Sequence, residues 1–433
     1  MRETKLGMRL RRASWPSALT AALVLAGCGG GDDAGTTGAG GGGSAAGAGG
    51  GGSSSSSSSS GASSSGSGSV TVMSAGSKMI GSTSDKWPAI TVDVAEGVES
   101  FMVSAASKDL AVSVGPQKVV APDGTVLYDS TATGAQAFTA QMDGAGLPSA
   151  VLFPNTPDIK LKTGAYQVLL GSDMADTMVD VSVLVKKGDG MVKPSTLPVT
   201  FWFANLTFPM GAALNKDTAK TDPKFQQALG VFKMVYGNAQ ISVDLGAITY
   251  RDMKEVVGDA KATSWAVIPK EENLAAMYAE MNQYATAPGL HVYFIDQYTF
   301  MGGDGTLGIS GGIPGPSAFE GVAHSGVSCG VAALYGAAGG GLDPADDFGA
   351  TIAHEGGHYL GLFHTTEQSG MSYDPISDTP ECTGVDGMGQ HAPESCGGMG
   401  NDNFMFWQSS NMLQTVVSPG QSYVLQMNPS VNP

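Results

Sequence analysis

Residues 354–364 read His-Glu-Gly-Gly-His-Tyr-Leu-Gly-Leu-Phe-His and hold three of the six histidines of the 433-residue chain. His354 and His358 lie four apart, so on a helix both imidazoles stand on one face and can share one ion. Glu355 is turned about 100° from His354 on the same helix and faces a water beside the ion, not the ion itself. Gly361 is where the chain must leave the helix, with φ > 0, so that His364 can swing back as a third ligand. Three neutral imidazoles with a fourth position open describe a catalytic zinc site, because structural sites are usually closed by four protein ligands. Zinc lowers the pKa of bound water towards about 7 and polarises a carbonyl. Glu355 is then expected to take the proton from that water and deliver it to a leaving amine. The five-residue core His-Glu-x-x-His arises often by chance; its extension through Gly361 and His364 is far rarer.

The extended motif resembles that of the metzincin metalloproteases. Downstream, Asp402-Asn403-Phe404-Met405-Phe406-Trp407 looks like a Met-turn, in which Met405 forms an apolar floor beneath the three histidines. Between the two lie Ser377-Asp378-Thr379-Pro380 and the pair Cys382 and Cys396, a combination similar to the pappalysin family. The close match covers about Asp347 to Trp407, with fainter agreement at His291–Asp296. The resemblance implies a zinc endopeptidase with an edge strand above the cleft, for which Gly308-Ile309-Ser310-Gly311-Gly312-Ile313 is the candidate. Trp407 stands where family members often carry a tyrosine that stabilises the oxyanion; its indole N–H is a candidate helper, and its ring cannot ligate zinc. Asp374, Asp378 and Asp386 are candidate ligands for a calcium ion that some relatives hold, the bland reading being a solvated acidic loop.

Upstream, Arg2, Lys5, Arg9, Arg11 and Arg12 precede the apolar stretch Ala18 to Ala26, which is too short to span a bilayer. Leu25-Ala26-Gly27-Cys28 resembles a bacterial lipobox, implying cleavage after residue 27 and lipidation of Cys28. An acyl chain contributes about 0.8 kcal/mol per buried methylene to membrane anchoring. Residues 28–69, rich in Gly and Ser, have nothing to bury and are expected to form a disordered tether spanning roughly 35 Å. With Cys28 assigned to lipid, Cys382 and Cys396 close a loop of about 15 residues, worth roughly 3 kcal/mol in the chain-entropy model. Cys329 is then left as a buried thiol, and His291, His324 and His391 read as strand or loop residues without ligand spacing.

Short alternating strands such as Ala89–Val94, Ser100–Ser104 and Ala165–Leu170, with turns at Pro122–Gly124 and Lys162–Gly164, predict an all-β sandwich over 70–190. A Gly- and Pro-bearing hinge over Lys187–Pro198 leads into residues 195–433. There strands at Val199–Phe208, Ile241–Tyr250 and Leu290–Phe300 mix with helices at Pro223–Tyr236 and Glu272–Tyr284. The fold class expected is α+β: a metzincin-like catalytic domain, with a mixed twisted sheet and an active-site helix, preceded by the sandwich.

A formal charge of −17 opposes nucleic-acid binding. The expected partners are a protein or peptide substrate and a membrane reached only through the lipid, the chain being an exported monomer on the bacterial cell envelope. The rival is a non-catalytic surface lipoprotein whose sandwich binds or adheres to a partner; an intact Glu355 speaks against it, since inactive relatives commonly lose the base or a ligand. The acidic charge should steer cationic peptides to the chain, so basic test peptides should be cleaved faster than acidic ones, by a margin that shrinks as salt is added. Equal rates at every ionic strength would remove this expectation.

Overall fold

The computed structural model describes residues 69–131, 146–188, 195–207, 214–300, 306–336, 342–370, 373–409 and 411–432. The signal, Cys28, the tether to residue 68 and most of the hinge lie outside them. Period-two burial organises the first part: in Ala89–Val94, Ile90, Val92 and Val94 are buried while Ala89, Thr91 and Asp93 are exposed. The strands are β1 (Ser69–Ile80), β2 (Ala89–Val94), β3 (Val98–Ser107), β4 (Val114–Val120), β5 (Val126–Asp129), β6 (Ser149–Phe153), β7 (Gly164–Ser172) and β8 (Thr177–Lys187). They form two antiparallel sheets, in orders β1-β8-β3-β6 and β2-β7-β4-β5. Val92, Tyr166 and Val168 of one sheet share a core with Phe101, Phe153 and Val183 of the other. This is the expected sandwich.

The second part holds β9 (Ser195–Thr196), β10 (Val199–Phe203), β11 (Ile241–Ser242), β12 (Thr249–Asp252), β13 (Val267–Ile268), β14 (Leu290–Ile295), β15 (Gln297–Tyr298), β16 (Gly308–Ser310) and β17 (Val327–Gly330). Its main sheet runs β12-β10-β14-β17-β16; the pairs are parallel except β16 with β17, which is antiparallel. Helix Pro223–Asn238 begins at Asp222, whose carboxylate accepts from the Phe225 amide at 2.8 Å, and buries Phe225, Leu229, Phe232 and Val235 as the periodicity predicts. Helix Glu271–Met281 buries Leu274, Met277, Tyr278 and Met281. The chain is thus mixed α+β.

Three strand expectations need correction. Ile241–Tyr250 is two strands, because Asp244 folds the chain back by accepting the Gly246 amide on its side chain (2.9 Å) and the Ala247 amide on its carbonyl (3.0 Å). Leu290–Phe300 breaks at Asp296, whose carboxylate takes the Thr207 amide and hydroxyl at 2.8 and 2.7 Å, and β15 pairs with β13 instead. Of the expected Val199–Phe208, Val199–Phe203 is strand, 204–207 are not, and Phe208 lies outside the described residues. The structure adds a helix absent from the sequence reading, Pro419–Met427, started by a Ser418–Gln421 capping box. Among the described residues no helix is long and apolar enough to cross a membrane.

The sandwich packs onto the second part through Met102, Ala150, Leu152 and Leu184, which meet Phe319 and Val322. At this seam Lys186 is buried, and its ammonium donates to the carbonyls of Gln426, Asn428 and Val431 at 2.6, 3.2 and 2.6 Å. Asn428 in turn donates through Nδ2 to the carbonyl of Leu360 at 3.2 Å. One lysine of the sandwich therefore fastens the C-terminal segment, which holds the end of the helix carrying the histidine motif. Lys186→Met keeps the stem and removes the donors, so it should lower unfolding stability by about 2–3 kcal/mol. An unchanged denaturant midpoint would show that the seam contributes nothing.

Candidate metal centre

The motif helix, Pro344–Leu360, starts where the side chain of Asp343 accepts the Ala345 amide at 2.9 Å, with Pro344 at its first position and Asp346 and Asp347 in its first turn. It ends at Gly361, whose φ of 115° and ψ of 13° place it in the left-handed region. The Gly361 amide reaches the His358 carbonyl and the Leu362 amide the Gly357 carbonyl, each at 2.9 Å. This paired Schellman closure reverses the chain and returns His364 to the helix, as the sequence predicts.

His354, His358 and His364 converge. Nε2 of His364 lies 3.2 Å from Nε2 of His354 and 3.1 Å from Nε2 of His358. The far nitrogens decide what these contacts are. Nδ1 of His354 donates to the Phe404 carbonyl and Nδ1 of His358 to the Leu362 carbonyl, both at 2.7 Å, while Nδ1 of His364 meets the Glu367 carboxylate at 3.1 Å. Carbonyl and carboxylate oxygens only accept here, so each Nδ1 carries the hydrogen, and in the neutral form of each ring Nε2 is a bare lone pair. Three acceptors this close repel one another, and a shared cation removes the repulsion. Ligands about 2.0–2.1 Å from a tetrahedral ion lie roughly 3.3 Å apart, so the residues present fit a zinc-sized ion.

Charge favours ligation at two of the three rings. Burial drives His354 down to about 3, and burial with the neighbouring imidazoles drives His358 well below the ordinary histidine range. Both are ready to ligate at neutral pH. Burial also opposes charge on His364, but the Glu367 carboxylate outweighs it and raises that ring. Glu367 is a positioning residue that the sequence reading missed; its place three residues after the third histidine was the available signal. Glu355 is 4% exposed, and burial pushes its carboxyl up to about 7, against the pull of His364 and the Ser310 backbone.

Met405 packs against the motif helix at Gly357. It is fully buried, and a Cβ added to Gly357 would come within 2.5 Å of its sulfur. Asn403 Oδ1 accepts the Met405 amide at 2.8 Å, and the Met405 carbonyl accepts the Thr365 amide at 3.0 Å. Asn403 and Gln421 also exchange amide hydrogen bonds at 2.9 and 3.0 Å, which ties this turn to the C-terminal helix. β16 is the outermost strand of the sheet, and a Cβ at Gly308 would meet Glu355 Cγ at 2.6 Å and Thr351 Cγ2 at 2.9 Å. The edge strand therefore runs directly beside the candidate base, although only Gly308–Ser310 of the expected Gly308–Ile313 is strand.

Two site expectations are overturned. Trp407 is buried and its Nε1 donates to the His391 carbonyl at 2.7 Å, so that hydrogen is spent inside the disulfide cluster and does not serve an oxyanion. The three aspartates do not form a calcium cage. Asp378 caps the C-terminal helix by accepting the Ser418 hydroxyl at 2.6 Å and the Gly420 amide at 2.8 Å. Asp386 accepts the Met388 and Gln390 amides of its own turn at 2.8 Å, and Asp374 accepts the Ile376 amide and the Thr379 hydroxyl. Among the described residues no metal-type cluster includes any of them.

Cys382 and Cys396 are joined, with Cα atoms 5.4 Å apart, as the resemblance implied. His391 adjoins them in ligand-like fashion, but the two sulfurs are bonded to each other. Cys329 is a buried free thiol on β17, and burial raises it. His291 accepts from Trp202 Nε1 at 3.0 Å within the core, away from the triad.

Replacing Glu367 by alanine should weaken divalent-ion binding by about 10–100-fold, measured with zinc as the probe ion by competition against a chromogenic chelator. An unchanged affinity would mean that the His364–Glu367 contact does not tune the site.

No family model matches the chain, and no curated protein matches it. Among solved structures, the Bacillus subtilis protein YXIM, known from an X-ray crystal structure, aligns over 52% of this chain at 9% identity with a TM-score of 0.14. The aligned part spans 55% of that protein, and so slight a likeness carries no argument.

Proposed function

We propose that the chain is a zinc endopeptidase of metzincin type, most similar to the pappalysin family, hydrolysing peptide bonds of extracellular proteins or peptides. The observation that carries this reading is the convergence of the three imidazoles, Nε2 of His364 lying 3.2 and 3.1 Å from those of His354 and His358, beside the buried carboxyl of Glu355. His354, His358 and His364 would hold the ion, which when bound supplies a Lewis acid that acidifies water and polarises the scissile carbonyl. Glu355 accepts a proton from the attacking water on its carboxylate and returns it to the nitrogen of the leaving amine. β16 offers its outer edge to an extended peptide, whose backbone hydrogen bonds would lay the scissile bond across Glu355. A lipid on Cys28 and the Gly/Ser tether would keep this chemistry at the cell envelope.

Full-length protein and Glu355→Gln should each hold one zinc per chain, and casein cleavage should fall about 100-fold or more in the variant alone. Folded protein without zinc would end this reading and leave a binding lipoprotein. The pH profile gives a second check. Burial raises Glu355 to about 7 without metal, and a neighbouring dication favours the carboxylate, so the acid limb of kcat/KM should lie below pH 7. An acid limb above 7 that persists in Glu355→Asp would point to another base.

A further inference from the structure

We propose that Cys382, Cys396 and His391 form a second, redox-gated metal site, closed by the disulfide and open to zinc(II) once that bond is reduced. It lies outside the three-histidine centre and does not rest on the endopeptidase reading. All three residues are buried, and both sulfurs and one ring nitrogen of His391 lie within 4.8 Å of one another. Two thiolates about 2.3 Å from a tetrahedral ion stand roughly 3.8 Å apart, with an imidazole nitrogen roughly 3.6 Å from each. The cluster therefore closes onto an ion through small side-chain movements once the sulfurs part.

His391 supplies the observation that points to a ligand. It is 8% exposed, and among the described residues its Nδ1 is buried with no hydrogen-bond partner. A buried ring nitrogen left so is costly. Both backbone groups of the residue are used: its amide donates to the Gln368 carbonyl at 3.0 Å and its carbonyl accepts the Trp407 indole at 2.7 Å. The ring tip abuts Gly370, where an added Cβ would collide with Nε2. The cysteines, too, are held by more than their own bond. The Cys382 amide donates to Thr366 Oγ1 at 3.0 Å, and the Tyr373 hydroxyl donates to the Cys382 carbonyl at 3.3 Å. The Cys396 carbonyl accepts the Met399 amide at 2.8 Å. Opening the disulfide therefore need not scatter the sulfurs, and the Ser395 hydroxyl, 3.8 Å from Cys396 Sγ, is placed to donate to a thiolate.

A dithiol opens the site by passing two electrons and two protons to the disulfide, becoming a disulfide itself and leaving Cys382 and Cys396 as thiols. The ion then displaces both thiol protons to solvent, and His391 joins as neutral imidazole. Two thiolates and an imidazole favour zinc over calcium or magnesium. Reoxidation removes both thiolates, so ion and disulfide exclude each other. Both sulfurs are buried, so exchange follows local opening of the loop between them, which exposes Val385 and Met388.

The test uses the full chain without oxygen and cobalt(II) as the probe, because an all-histidine centre cannot give thiolate-to-cobalt charge transfer. The oxidised protein should show no such band. After reduction with a water-soluble phosphine, which takes oxygen from water as it is oxidised, the band should appear with one more cobalt per chain, and zinc should bleach it. His391→Ala should weaken that binding at least about tenfold, since even outer-shell changes cost about 10–100-fold. Reduced Cys382→Ala/Cys396→Ala should give no band, which separates this pair from Cys28 and Cys329. Where reduction alone loosens the loop, zinc should restore its resistance to proteolysis. A reduced chain without the band, a band that survives in the double variant, or an affinity unchanged in His391→Ala overturns the site.

Discussion

Three lone pairs aimed at one point repel each other, and much of the second half of this chain holds them there. His354, His358 and His364 each set Nδ1 against an oxygen, and for His354 and His358 that oxygen is a backbone carbonyl of a held turn. The Phe404 carbonyl belongs to the Met405 turn, and the Leu362 carbonyl belongs to the Schellman closure. The Glu367 carboxylate sits three residues beyond the last histidine. Orientation is thus set before any ion arrives, so binding an ion need not order the ligands.

Those oxygens are anchored in turn. The Met405 turn is held by Asn403, Asn403 by Gln421, and the helix of Gln421 by Asp378 and by its own capping box. The end of that helix is fastened to the sandwich through Lys186, and Asn428 carries the same fastening to the last carbonyl of the motif helix. The sandwich is therefore more than a spacer. It braces the C-terminal segment that braces the floor of the site. Burial of the lysine makes this brace polar and directional, which specifies position more sharply than apolar packing alone.

The errors of sequence reading have a common cause. Trp407 and the three aspartates are assigned roles from their type and spacing, and the tertiary structure gives Trp407 Nε1, Asp378, Asp386 and one oxygen of Asp374 other partners. Trp407 satisfies a carbonyl from a residue 16 positions away; Asp378 caps a helix 40 positions downstream. Backbone groups left bare at turns and helix starts compete for such donors and acceptors, and nothing local shows which will win.

The sequence by itself determined the local geometry: alternating burial in the sandwich strands, the apolar faces of Pro223–Asn238 and Glu271–Met281, the four-residue spacing of His354 and His358, and the left-handed exit at Gly361. These depend on periodicity and on the one residue type that tolerates φ > 0, both of which act within a few residues. Only the tertiary structure decided that three Nε2 atoms meet, that Glu367 holds His364, that Trp407 is occupied, and that β16 lies against Glu355. Each of those outcomes depends on which distant group satisfies a buried polar atom. That choice is made by packing the whole chain at once, because no single segment contains both partners.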